Sequence, residues 1–202
     1  MHTVAFARPR LSQPTQTDSV QKQSHLWAAL GGILALPIGE LSGSTQTSFS
    51  FDLVNISYDF GQWSLHGENG IITLPLSSNS LYQDIKIIDG GAQFGIFLLG
   101  VDYKLLHAEW SPYIAAKIGA LQMTLPSITV LGQSPMYSLQ LGSDVYWYPM
   151  AEWTIGMKYD IIPNTLRVFG EVEAMVVPVP TKMTSGIFSM AKFHVGISTP
   201  LF

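Results

Sequence analysis

Residues 152–162 read EWTIGMKYDII, and they sort by parity. Trp153, Ile155, Met157, Tyr159 and Ile161 fall on one side, while Glu152, Thr154, Gly156, Lys158 and Asp160 fall on the other. Successive side chains of an extended chain point to opposite faces, so this stretch is a strand with one apolar and one charged face. Its neighbours repeat the split. Downstream, Val168, Val172, Ala174 and Val176 oppose Arg167, Glu171 and Glu173, and Ile187, Ala191, Phe193, Val195 and Ile197 oppose Lys192 and His194. Upstream, Ile114, Ala116, Ile118 and Ala120 oppose Ser111, Tyr113, Lys117 and Gly119. Between these, Tyr137, Leu139, Leu141, Val145 and Trp147 oppose Ser138, Gln140, Gly142, Asp144 and Tyr146. No charge falls on the apolar face of these five segments.

The expected strands are therefore 45–59, 62–76 (interrupted at Glu68-Asn69-Gly70), 80–88, 92–105, 110–123, 136–149, 152–162, 166–177 and 186–199. Asp89-Gly90-Gly91 and Pro163-Asn164-Thr165 supply turn signals between them. Residues 45–202 thus read as one all-β antiparallel up-and-down barrel. A closed barrel of the bacterial membrane type has an even number of strands. Nine segments give eight if 62–88 contributes one fewer, or ten if 26–36 adds one; eight is the expectation.

Period two alone does not say which face meets water. Only 12% of the 202 residues are Asp, Glu, Lys or Arg, about half the ~25% usual in soluble domains. Hydrophobic residues make up 47%, and the mean hydropathy is +0.26. So few charges cover a water-facing surface poorly, whereas a self-neutralising interior needs few. Aromatic residues gather near strand ends at Tyr103, Trp110, Tyr137, Trp147, Trp153 and Tyr159, as the interfacial girdles of a membrane barrel require. The reading is a transmembrane β-barrel with apolar residues towards lipid, preferred over a soluble lipocalin-like barrel.

Composition excludes other classes. A net charge of -4 and the lack of any Lys/Arg run give no field for nucleic acid. With no cysteine there are no disulfides, thiolate metal sites or thiol nucleophiles. The longest apolar stretch, Leu26 to Leu36, is too short for a membrane helix. Residues 25–44 are expected to be a first strand or a buried arm rather than a cleaved signal peptide. Residues 1–24, rich in Gln, Thr and Ser, read as an extended polar arm, with Arg8 and Arg10 available to carboxylates of an envelope protein.

The wording of several strands adds a resemblance. Ser111-Pro112-Tyr113-Ile114-Ala115-Ala116-Lys117-Ile118-Gly119 resembles a glycine-punctuated strand common in small outer-membrane barrels. Leu139 to Tyr159, taken as two strands joined by a short turn before Glu152, resembles the penultimate hairpin of the family of the transmembrane domain of outer membrane protein A. Phe202 is similar to the terminal aromatic read by the barrel assembly machinery, although it is out of phase with Val195 and Ile197, and Thr199-Pro200 requires a bulge or strand end. The resemblance spans residues 92–202 and implies an integral location in a Gram-negative outer membrane.

In so narrow a barrel side chains fill the lumen. The expected lumen network is Lys117, Asp144, Lys158, Asp160, Arg167, Glu171, Glu173, Lys192 and His194, with Lys158 paired to Asp144 or Glu171. A structural ion-pair ladder is preferred to a gated ion path. Enzymes of this fold need a base and a nucleophile together. His194 has no serine partner on its strand, and His66 stands beside Glu68 in an expected loop, so no catalytic residue is assigned. No metal-ligand spacing or cofactor motif stands out. The expected role is structural or scaffolding within an envelope assembly, in contact with membrane lipid; a narrow channel for small or hydrophobic solutes is the alternative, and a lipid-modifying enzyme a third reading.

Overall fold

The computed structural model describes residues 25–76, 86–87, 91–106, 108–125, 128–133, 136–141 and 144–201. Eight antiparallel strands close into a barrel: β1 (His25–Ile38), β2 (Ser48–Phe60), β3 (Trp63–Pro75), β5 (Gly91–Lys104), β6 (Trp110–Leu125), β9 (Asp144–Ile162), β10 (Leu166–Val177) and β11 (Phe188–Pro200). Each pairs with its neighbours in chain order, and β1 against β11 seals the ring. A separate small sheet comprises β4 (Lys86–Ile87), β7 (Ile128–Gln133) and β8 (Met136–Leu141), and α1 (Glu40–Ser44) follows β1.

The two ends differ. At one, strands join through tight turns: Gly61-Gln62, with Gly61 at φ 74, and Pro163-Asn164-Thr165, with Asn164 at φ 56. The first and last described strand ends, His25 and Pro200, lie at this end too. At the other end the connections are long, spanning 39–47, 76–90, 126–143 and 178–187. Short turns on the periplasmic side and long loops outside are the rule for such barrels.

Residues 25–38 form the first strand, one of the two expected readings of the apolar segment, which lies in the barrel wall. Other expectations about strands need correction. Residues 136–149 and 152–162 are not a hairpin: β9 runs unbroken from Asp144 to Ile162, and β8 lies outside the barrel. Pro149 suggests a break, but β9 pairs with β10 only as far as Ala151, so the proline lies where one edge is open and a missing N–H is tolerated. Likewise β3 passes straight through Glu68-Asn69-Gly70, where the Asn-Gly pair reads as a turn. A register shift in β2 between Asp52 and Val54 absorbs the irregularity. The expected strand 80–88 lies largely outside the described residues; only Lys86–Ile87 is strand, and it is off the barrel.

Every Asp, Glu, Lys and Arg of the barrel strands takes the inward parity, down to Asp144 at the long-loop rim. The outward face carries Leu99, Ile118, Ile155, Val172, Val195 and their like, and Ile118 is 72% exposed. A soluble barrel would put this face inside, so the exposed aliphatic belt selects lipid as its solvent.

Candidate functional site

The lumen is stratified. At mid-height two ammoniums and three carboxylates from five strands form a closed cage. Lys117 Nζ lies 2.7 Å from Glu68 Oε2, 3.0 Å from Glu152 Oε1 and 3.1 Å from Glu173 Oε1. Lys192 Nζ lies 3.2, 2.7 and 2.7 Å from the other oxygen of each glutamate. Each ammonium thus lies within ion-pair distance of three carboxylates, and each carboxylate bridges both lysines. None of the five side chains is more than 1% exposed.

Towards the short-turn end the cage continues into an aromatic relay. His194 Nε2 lies 2.6 Å from Asp52 Oδ2 and Nδ1 3.1 Å from Glu171 Oε2, while the Tyr113 hydroxyl donates to Glu171 Oε1. Two wall glycines make the room: a Cβ on Gly31 would stand 2.2 Å from His194 Nε2, and one on Gly156 2.5 Å from the Tyr113 ring. Lys158 lies over that ring at 4.3 Å and pairs with Asp102 at 2.9 Å, beside His66. At the mouth Asp59 binds Lys104 at 2.8 Å and Arg167 at 3.1 Å, and Arg167 also reaches Asp160 at 2.7 Å and covers the Trp27 ring at 4.0 Å.

The long-loop half of the lumen is mostly apolar, with Ser50 of β2 as a polar exception. Ile33, Ala35, Ile72, Leu74, Ala92, Phe94, Ile96, Leu98, Leu121, Met123, Met150, Met175, Val177, Phe188 and Met190 fill it, with Leu41 from α1 inserted among them. Glu40, next to that leucine, accepts hydrogen bonds from the Ser185 N–H at 2.7 Å, the Ser185 hydroxyl at 3.0 Å and the Gly186 N–H at 3.2 Å. Those donors hold its carboxyl below the usual glutamate range.

Of the residues expected in the lumen, Lys117, Lys158, Arg167, Glu171, Glu173, Lys192 and His194 are buried there, and Asp160 is half-buried at the mouth. Asp144 is exposed at the opposite rim, where it accepts the Tyr146 hydroxyl at 3.1 Å. Lys158 therefore pairs with Asp102 on β5, reaching past β6, rather than with Asp144 or Glu171; neighbouring-strand reasoning misses contacts made over an intervening strand inside the barrel. The expected lumen network also omits Asp52, Asp59, His66, Glu68, Asp102, Lys104, Tyr113 and Glu152. Tyr113 and Glu152 carry the polar parity, whereas the β2 bulge turns both Asp52 and Asp59 inward despite their opposite parity.

The aromatic residues fall in two bands, with Trp153 and Tyr137 as exceptions. Trp110 stacks near Tyr159 at 4.4 Å and Trp63 near Tyr103 at 4.7 Å at the short-turn end, while Trp147 meets Phe97 at 5.5 Å towards the long loops. Trp153 lies six residues from both Trp147 and Tyr159 on β9, which puts it mid-belt instead of in a girdle. Tyr137 is on β8, away from the barrel wall. Arg8, Arg10 and Phe202 lie outside the described residues.

Two groups bring three metal-type donors within 4.8 Å of one another: Glu68, Glu152 and Glu173, and Glu171, Glu173 and His194. In the first, the lysine ammoniums already stand where a cation would. In the second, both imidazole nitrogens are turned to carboxylates.

Neither a family model nor a curated protein matches the sequence. Among solved structures, Neisserial surface protein A superposes with a TM-score of 0.57 at 8% identity, covering 86% of this chain and 96% of that one. Ail, the attachment invasion locus protein of Yersinia pestis, covers 89% of this chain and 99% of its own at 8% identity and a TM-score of 0.48. The N-terminal barrel domain of Pseudomonas aeruginosa OprF covers 87% and 99% at 14% identity and a TM-score of 0.46. At such identities the first likeness speaks for the fold, and this chain's own aliphatic belt places that fold in lipid. The chain has the fold of a small outer-membrane β-barrel. An outer-membrane barrel of eight strands closes on a lumen that side chains fill, and here they fill it with ions on one side and hydrocarbon on the other.

Proposed function

We propose that this chain is a closed, non-conducting barrel with a structural role in a Gram-negative outer membrane. One observation carries the reading: the ion cage seals the lumen at mid-height, and an apolar core, Leu41 included, stands above it. An ion crossing would have to shed its water against Phe94, Met123 and Met190, side chains that cannot replace it. Purified protein in planar bilayers is expected to give no unitary conductance; regular channel steps would reject the reading.

We further propose that residues 1–24 join the barrel to another envelope protein, through Arg8 and Arg10 to its carboxylates. Deleting residues 2–24 should reduce co-purification of envelope partners while heat-modifiable migration of the barrel persists. Retention of the same partners by the shortened chain would remove the arm from the account.

A further inference from the structure

One side of the lipid-facing belt carries a polar group where hydrocarbon is expected. β3 turns Gly67 and Asn69 outward at the height of the ion cage, whose Glu68 lies between them in sequence. Asn69 stands six residues from Trp63 of the short-turn aromatic band and six from Pro75 at the long-loop end of the strand, which puts it midway through the belt. Its half-buried carboxamide, a donor and an acceptor at once, has no hydrogen-bond partner among the described residues. The register neighbours, Val54 and Phe97, have none to offer. Other polar residues of the outward face, Thr73, Gln93 and Thr124, lie towards the long-loop rim, within reach of headgroups and water.

Asn69 opens onto a hollow of about 500 Å³ in the outer wall. Gly67, Gly119 and Ala120 keep its floor low, and Val54, Ile56 and Leu99 stand exposed around it. Strand pairing alone holds position 119 to glycine, because a Cβ there would collide with the Phe97 carbonyl, so the low floor by itself names no occupant. The unpaired amide does name one. Acyl chains carry neither donor nor acceptor, and the ester and headgroup oxygens of a phospholipid lie at the membrane surface, so lipid in this hollow leaves the amide unsatisfied. A second carboxamide satisfies it on both sides, each C=O accepting from the other's NH2. Another copy of this chain brings that group to the same depth, and a two-fold axis along the membrane normal makes the contact self-complementary. Leu99, one of the most exposed side chains of the belt and the register partner of Gly67, is a knob beside the hollow that the facing copy can receive.

We propose that the outer face of β2, β3 and β5 is a dimer interface between two copies of this chain within the membrane, with the two Asn69 carboxamides paired at the axis and each Leu99 set against the other copy's hollow. The rest of the belt stays in lipid. The inference goes beyond the closed-barrel reading: two sealed barrels side by side conduct no better than one, so the bilayer recording and the association measurement fail independently.

The test uses the full chain folded into phosphocholine vesicles. The chain contains no cysteine, so Gln62→Cys in an exposed short turn gives a single labelling site. Donor-labelled and acceptor-labelled copies are expected to show energy transfer that falls on dilution with lipid along a monomer–dimer curve. Asn69→Leu should shift that curve by about tenfold towards monomer, the loss expected for two hydrogen bonds in a membrane. Heat-modifiable migration of this variant should persist, since leucine suits a lipid-facing position. With Asn69 intact, a short thiol cross-linker should join Leu99→Cys copies and leave Val172→Cys copies single, because β10 lies across the ring from β3. Energy transfer no greater than random crowding at every dilution, association unmoved by Asn69→Leu, or equal cross-linking at the two positions overturns the proposal.

Discussion

Lys192→Met should cost the barrel about 3–5 kcal/mol, the range found when one partner of a buried ion pair is removed. The side chain is fully buried and touches Glu68, Glu152 and Glu173, all of which remain when the ammonium is gone. The wild-type cage holds two positive against three negative charges, formally -1; the variant holds one against three, formally -2. Methionine fills much of the lysine stem's volume, so the loss reports charge more than packing. A loss of this size is a large fraction of the ~5–15 kcal/mol that a single domain has in total. Urea unfolding in detergent, followed by tryptophan fluorescence, measures it as a fall in midpoint. Adding Glu152→Gln returns the formal charge to -1 and should recover part of the loss. An unchanged midpoint for Lys192→Met would mean that the cage contributes nothing to stability.

The cage also marks how far sequence reasoning reaches. The opening stretch 152–162 displays the alternation of β9 without ambiguity, and the same rule orients β6, β10 and β11. Three members of the cage, Lys117, Glu173 and Lys192, follow from it directly. Glu152 carries the right parity as well. Glu68 does not, because Glu68-Asn69-Gly70 has the composition of a turn; only the partner strand's irregularity at Asp52–Val54 lets β3 continue through it. Gly70 has a positional reason that the sequence hides: a Cβ there would come within 3.2 Å of Asp52 Oδ1. Pairings between strands that are not neighbours, such as Lys158 with Asp102 or Arg167 with Asp59, depend on barrel closure and shear, and no pattern within one strand encodes either. The apolar upper compartment was hidden for another reason. Its residues share the inward parity of the charged ones, so along β5 the inward face changes from Phe94, Ile96 and Leu98 to Asp102 and Lys104 without any change of period.

The belt itself makes the last prediction. Ile118 and Thr124 both lie on the outward face of β6, six residues apart, and neither has a charged residue as its register partner. Ile118 pairs with Leu99 and Ala151, and it lies eight residues from Trp110 of the short-turn aromatic band. Thr124 pairs with Gln93 and Val145 near the long-loop rim, where Gln122 and Thr73 add further polar groups. If lipid surrounds this face, a lysine near the bilayer midplane costs about 2–4 kcal/mol and one near the interface about 0–1 kcal/mol. Ile118→Lys should therefore shift the folding equilibrium into phosphocholine vesicles by roughly 30- to 900-fold, while Thr124→Lys leaves it within about fivefold. Ile118 is 72% exposed, so its replacement gives up little contact with neighbouring strands, and the difference between the two sites reads mainly depth in hydrocarbon. In water the order would collapse, since an exposed lysine is well solvated at either position. Equal small effects at the two sites would show that the aliphatic face meets something other than a bilayer, and the assignment of this barrel to the membrane would fall with it.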